Sequence, residues 1–155
     1  MLTPDSIPTD EKWMRHAIML ARRAQSEGEV PVGAVIVDQG QIIGEGWNAP
    51  IRSHDPTAHA EIHAIRHAAE KLQNYRISGA IMYVTLEPCA MCAGAIFHAR
   101  LGRLIFGASD PKSGVAGSVI NLFDNNKLNH HSLASGGVLQ QECAALLQDF
   151  FRDRR

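Results

Sequence analysis

The sequence holds little of what marks a membrane, secreted or strongly basic protein. Only three of its 155 residues are cysteine, an odd number that does not close into a disulfide framework. The close pair Cys89 and Cys92 therefore points to metal or redox work in a reducing compartment. No apolar run approaches the roughly 18 residues of a membrane span. The segment from Met1 to Pro8 carries Pro4, Asp5 and Pro8 and lacks the basic-then-apolar order of a secretory signal. The expectation is a cytoplasmic protein, not bound to membrane, with a frayed start over residues 1–8. Positive charge is not in surplus either: 15 Lys and Arg stand against 16 Asp and Glu, a net charge of −1. A nucleic-acid partner would have to be held by a local patch.

What is present reads as one compact domain over residues 1–155, with 45% apolar and 20% charged residues. Helical and strand patterns alternate without repeats or low-complexity tracts, which points to an α/β layer fold. Thr9 is placed to cap a first helix with the apolar stripe Trp13, Ala17, Leu20 and Ala24, and Gly28 to end it. Residues Val32 to Val37 read as a central strand, and Gln39-Gly40 as a tight turn into a second strand, Gln41 to Trp47. A loop with Pro50 and Pro56 leads to Thr57, placed to cap a helix from about Ala58 to Lys71. Further strands are expected at Ala80 to Thr85, at Arg103 to Gly107 and near Leu133. A helix is expected from Cys89 to Ala99, and a last one with the apolar face Leu139, Cys143, Leu146, Leu147, Phe150 and Phe151.

Two short motifs carry chemistry: His59-Ala60-Glu61 and Pro88-Cys89-Ala90-Met91-Cys92. Each opens a predicted helix. Two thiolates and an imidazole converging from helix starts suit zinc, and the positive helix ends favour the thiolate forms. Structural zinc sites usually close with four protein ligands, whereas a catalytic site keeps a place for water. Three are readily found here, while Cys143 reads as a buried small hydrophobe on the last helix. An open zinc lowers the pKa of its water from about 15.7 to about 7, and Glu61 is near enough to move protons without being a ligand. H-x-E paired with P-C-x-x-C is the known signature of zinc nucleobase deaminases.

Nearly the whole chain, from Trp13 to about Arg154, resembles the bacterial tRNA-specific adenosine deaminases, a branch of the cytidine deaminase-like superfamily. The resemblance rests on Glu29-Val30-Pro31-Val32-Gly33-Ala34, Gly44-Glu45-Gly46-Trp47-Asn48 and the run His54 to Glu61. It continues through Tyr83 to Cys89, Cys92-Ala93-Gly94-Ala95, Phe106-Gly107-Ala108, Leu128-Asn129-His130 and Asp149-Phe150-Phe151. It implies a three-layer α/β/α fold with a central five-stranded mixed sheet, one zinc ion per subunit and a homodimer. The implied activity is hydrolytic deamination of the wobble adenosine in the anticodon stem-loop of an arginine tRNA, giving inosine, with zinc hydroxide attacking C6. It also implies nucleoside contact by Asn48 and a pocket wall that includes Pro31, Val32, Ala60 and Pro88.

Each of these residues has a plainer reading as well: Val32 as strand core, Asn48 as a turn cap. Phe150, Phe151 and Arg152 offer stacking and phosphate-pairing groups, with at least one phenylalanine expected in the core. Asp110 and Lys112 are expected beside the substrate entrance, where Lys112 meets a phosphate and Asp110 a ribose 2′-hydroxyl. Asp110-Pro111 reads equally as a simple turn. Two other functions fit the motifs. One is a deaminase of free cytidine, guanine or a related small molecule on the same fold. The other is a non-catalytic, zinc-stabilised RNA-binding or scaffold protein, which would require a fourth ligand and leave Glu61 idle.

Overall fold

The computed structural model describes residues 6–154. Its elements are α1 (Ser6–Ser26), β1 (Gly33–Asp38), β2 (Gln41–Trp47), α2 (Pro50–Ser53), α3 (Ala60–Leu72), β3 (Ile81–Leu86), α4 (Ala90–His98), β4 (Arg103–Ala108), a 3-10 turn (Leu122–Asp124), β5 (Leu133–Ser135) and α5 (Gln140–Arg152). The strands form one sheet in the order β2-β1-β3-β4-β5. β1 pairs antiparallel with β2 and β3, while β3, β4 and β5 run parallel. This is the expected five-stranded mixed sheet.

Alternation along the strands divides the core into two layers. Ala34, Ile36, Met82, Val84, Leu104 and Phe106 face Ala60, Ala64 and Ala68 of α3 and Ile96 of α4. Val35, Val37, Tyr83 and Ile105 face Trp13, Met14 and Ala17 of α1 and Cys143 of α5. Helices therefore cover both faces, which explains why the central strands read as unbroken apolar runs. Two glycines of β2 set its distance from α3: a Cβ at Gly44 would strike the carbonyl of Ala64, and one at Gly46 that of Ala60. The buried Asp10 fastens α1 to the sheet, accepting a bond from the Tyr83 hydroxyl (2.7 Å) and lying 3.4 Å from the Arg103 guanidinium.

Several boundaries differ from expectation. Of the segment expected to fray, residues 1–5 lie outside those described, but α1 already begins at Ser6, so Thr9 is not its cap. Pro8 is tolerated because the first-turn N–H groups have no helical partner. Thr57 does not cap α3; its hydroxyl and N–H both donate to Asp55 Oδ1, at 2.7 and 2.8 Å. The helix starts two residues later than expected, with His59 in the cap position. The short helix α2 lies within what reads as a loop, started by Pro50 at its first position. Its first N–H groups, from Ile51 and Arg52, donate to the buried carboxylate of Glu29 at 3.1 and 2.8 Å. Gln39 and Gly40 both have positive φ (50° and 75°), as a tight hairpin turn requires. Among the described residues, no helix is long and apolar enough to cross a membrane.

Candidate active site

His59 and Cys89 hold equivalent places. Each is the residue before a helix, with extended backbone (φ −80°, ψ 155° and φ −81°, ψ 175°), and neither side chain caps its own helix. Both are thus free to point away from their helices towards each other. The first N–H of α3 is served from elsewhere: Ala60 donates to Asn48 Oδ1 at 2.8 Å. Asn48, at the end of β2, therefore fixes where α3 begins. Cys92 lies three residues beyond Cys89, on the first turn of α4, and is buried.

The donor atoms of His59, Cys89 and Cys92 all lie within 4.8 Å of one another. His59 Nδ1 is 3.7 Å from the Cys89 sulfur and 3.5 Å from that of Cys92. Tetrahedral bonds of about 2.3 Å to sulfur and 2.0 Å to nitrogen place such atoms about 3.5 Å apart. The three residues thus fit a zinc ion, in a donor set of a soft kind that zinc prefers. Cys143, on the inner face of α5, is buried against Gly107 and lies outside this group.

The two cysteines shift each other in opposite directions. A hydrogen bond from Cys92 is the largest influence on Cys89, whose pKa falls to about 4, and the same bond, followed by burial, pushes Cys92 upward. The His59 pKa rises, chiefly through its hydrogen bond to Cys89. A metal ion in this place would require both thiols to give up their protons. Glu61, on the first turn of α3, is only 4% exposed, and burial raises its pKa to about 7. It stands beside the three donors and points into the same space.

That space is a cavity of about 280 Å³, lined by His59, Glu61 and Cys89 together with Val30, Val32, Asn48, Pro50, Leu86, Glu87, Asp110 and Ser113. Val32 and Asn48 line it, while Pro31, Ala60 and Pro88 are buried and are not among the lining residues. An adjoining groove, sharing Val30, Leu86, Asp110 and Ser113, continues past Lys112 to Phe151. Phe151 is 52% exposed, whereas Phe150 is 6% exposed and belongs to the core. Arg152 bonds Asp149 at 3.0 Å and lies 3.7 Å from Asp153, on its own helix end. Asp110 Oδ1 accepts from the N–H groups of Lys112 (3.1 Å) and Ser113 (3.3 Å), so the simple turn is present and also borders the cavity.

Sequence reasoning gave no role to Glu87 or Glu29. Both are nearly fully buried carboxylates that bind backbone N–H groups of the segments around the cavity. The available signal was an acidic residue next to a strand end or helix end in otherwise apolar surroundings, which in a core demands donors.

The sequence model of the MafB19-like deaminases matches residues 9–155. The chain is 56% identical over 147 residues to the tRNA-specific adenosine deaminase of Haemophilus influenzae, covering 94% of this chain and 85% of that protein. To the enzyme of the same name from Bacillus subtilis it is 44% identical over 146 residues, covering 94% and 91%. Among solved structures, one from studies of A-to-I editing by tRNA:A34 deaminases at the wobble position of transfer RNA matches with a TM-score of 0.83. It is 44% identical and covers 86% of this chain and 97% of that one. A guanine deaminase from Nitrosomonas europaea shares the fold at a TM-score of 0.81, with 22% identity and coverage of 97% and 85%.

Proposed function

Because the chain belongs to the tRNA-specific adenosine deaminase family, we propose that it converts the wobble adenosine of an arginine tRNA anticodon to inosine by hydrolysis. The observation that carries this reading is a three-donor centre of which His59 and Cys89, with the buried carboxylate of Glu61, line a cavity that adjoins a groove. His59, Cys89 and Cys92 hold one zinc ion per subunit, which supplies Lewis acidity to a water molecule. Glu61 would accept one proton from the attacking water and deliver it to N1 as the oxygen adds to C6 of the adenine. It would then take the second proton from the new C6 hydroxyl and pass it to the departing amine, so that adenosine and water become inosine and ammonia. The target base must leave its stack to reach Glu61, which costs less in an anticodon loop than in a duplex.

The wall of Val32, Asn48 and Pro50 holds the nucleoside, with Pro31, Ala60 and Pro88 supporting it from behind. Asp110, Lys112, Phe151 and Arg152 meet the RNA along the groove. The chain over residues 1–155 works as one domain, in the cytoplasm, where its three free cysteines stay reduced. It acts as a homodimer, consistent with the exposure of Met91 on α4 and of Val119 and Ile120 in the loop after β4. Sedimentation at micromolar concentration is expected to give twice the chain mass, and a monomer would reject that part.

The activity is tested by incubating the protein with a transcribed set of tRNAs and measuring inosine, alongside free adenosine and cytidine with ammonia as the readout. Inosine at the wobble position of the arginine tRNA is expected. Turnover of a free nucleoside in preference to tRNA would overturn the reading. Glu61→Ala is expected to keep zinc while losing turnover by about 10²–10⁴-fold. His59→Ala, Cys89→Ala and Cys92→Ala each lose zinc and activity together, whereas Cys143→Ala keeps both.

A further inference from the structure

The residue following β3 is Glu87, which lines the cavity at 3% exposure and yet lies outside the proton chemistry assigned to Glu61. Its Oε1 accepts from the N–H of Asp110 (3.0 Å) and from the Ser118 hydroxyl, while Oε2 accepts from the N–H groups of Ala116 (2.8 Å) and Ser118 (3.1 Å). Four donors from one loop thus converge on one carboxylate. Only an ionised carboxyl group offers two oxygens that both accept and never donate. A second observation comes from the other side of the contact. A Cβ at Gly114 would collide with the Glu87 carboxylate, so the loop backbone lies too close for any side chain there. The loop carries Asp110 and Ser113 at the cavity rim and Lys112 beside the groove.

We propose that Glu87 is a positioning residue of the reaction: its carboxylate sets the loop 110–118 over the cavity mouth and fixes Asp110 and Ser113 against the incoming nucleotide. The inference rests on the reading of the site as an RNA adenosine deaminase, but the placement of the loop can be measured without it. In Glu87→Gln one accepting oxygen becomes a donor that faces other donors, and in Gly114→Ala the loop is pushed outward. Ser118→Ala removes a single bond and adds no conflict.

The test compares these variants and Glu87→Asp with the parent, as full-length zinc-loaded proteins, by amide hydrogen exchange and by steady-state kinetics on an RNA anticodon hairpin. Exchange at Asp110, Ala116 and Ser118 is expected to quicken by about tenfold or more in Glu87→Gln and Gly114→Ala, and less in Ser118→Ala. KM for the hairpin should rise on the order of tenfold while kcat changes by less than about twofold, with zinc content unchanged. Glu87→Asp, which keeps two accepting oxygens, should recover part of the loss. The double variant Glu87→Gln/Gly114→Ala should be no worse than its worse parent, since both release the same loop. If Glu87→Gln fails to fold, Gly114→Ala and Ser118→Ala decide the matter. Parental exchange rates at the three amides, or a fall in kcat with KM unchanged, would overturn the proposal. A parent inactive on the hairpin would instead sink the substrate reading, and the exchange rates would still judge Glu87.

Discussion

At the scale of single residues, acidic side chains hold the segments around the site in place by accepting backbone N–H bonds. Asp55 does this for the approach to His59, accepting from both the hydroxyl and the N–H of Thr57. The Thr57 side chain is the first cause, and its backbone the second, of a pKa below the usual 3.8. The sign follows from linkage. The folded protein binds this proton more weakly than the unfolded chain, so the group contributes stability above its ordinary pKa and loses it as pH falls through the folded value. Asp55→Asn is therefore expected to melt below the parent at pH 7, with the gap closing as pH drops beneath about 3.8. Comparing the two proteins at each pH removes the effect of acid on His59, Cys89 and Cys92, which both share. Melting curves that stay parallel down to pH 3 would contradict this account.

At the scale of elements, the site depends on how closely β2 lies on α3. Gly46 packs directly on the Ala60 carbonyl, at the turn of α3 that carries Glu61. Gly46→Ala is expected to cost about 1–3 kcal/mol, the usual penalty for overfilling a packed core. That corresponds to a fall in Tm of several degrees for a chain of this size, roughly 2–4 °C per kcal/mol. Turnover should fall further than stability accounts for, because α3 must move with Glu61 on it. Gly40→Ala, at the hairpin tip where a Cβ meets nothing, provides a control that strains the backbone far from the site. Equal loss of turnover in both would detach the activity from the β2–α3 contact.

The same element shows where sequence reading succeeds and where it stops. The strands and the stripe Trp13, Ala17, Leu20 and Ala24 were legible because burial imposes a period that a local window contains. The start of α3 was not, because its first N–H is served by Asn48, twelve residues earlier, while the hydroxyl of Thr57 is engaged by Asp55. The cluster of His59, Cys89 and Cys92 was legible because few chemistries need those residue types at those spacings. Glu87 was not, because its partners arrive 23 to 31 residues later and form no local pattern.

At the scale of the whole molecule, a chain of net charge −1 must hold polyanionic RNA through few contacts. The groove that runs from the cavity past Lys112 to Phe151 offers a cation and an exposed aromatic ring close to the site. Lys112→Ala is expected to weaken binding of an anticodon hairpin and to lower the slope of log affinity against log salt by about one. An unchanged slope would mean that Lys112 meets no phosphate. Asp110 lies in the same loop, and Asp110→Asn is expected to narrow the preference for an RNA hairpin over its DNA counterpart.

The strand order also governs when, during folding, the metal can be held. His59 follows the β1–β2 hairpin, whereas Cys89 and Cys92 follow β3, which must travel back to lie beside β1. The hairpin is a local contact, but the pairing of β1 with β3 joins residues about fifty apart and must close a long loop. Until then the histidine and the cysteines belong to separate parts of the chain. A metal ion that needs all three donors would therefore be held only once that long-range pairing has closed. An interaction absent from the transition state leaves the folding rate as it was and slows unfolding. An ion bound there would act as a latch as well, lengthening the life of the folded state.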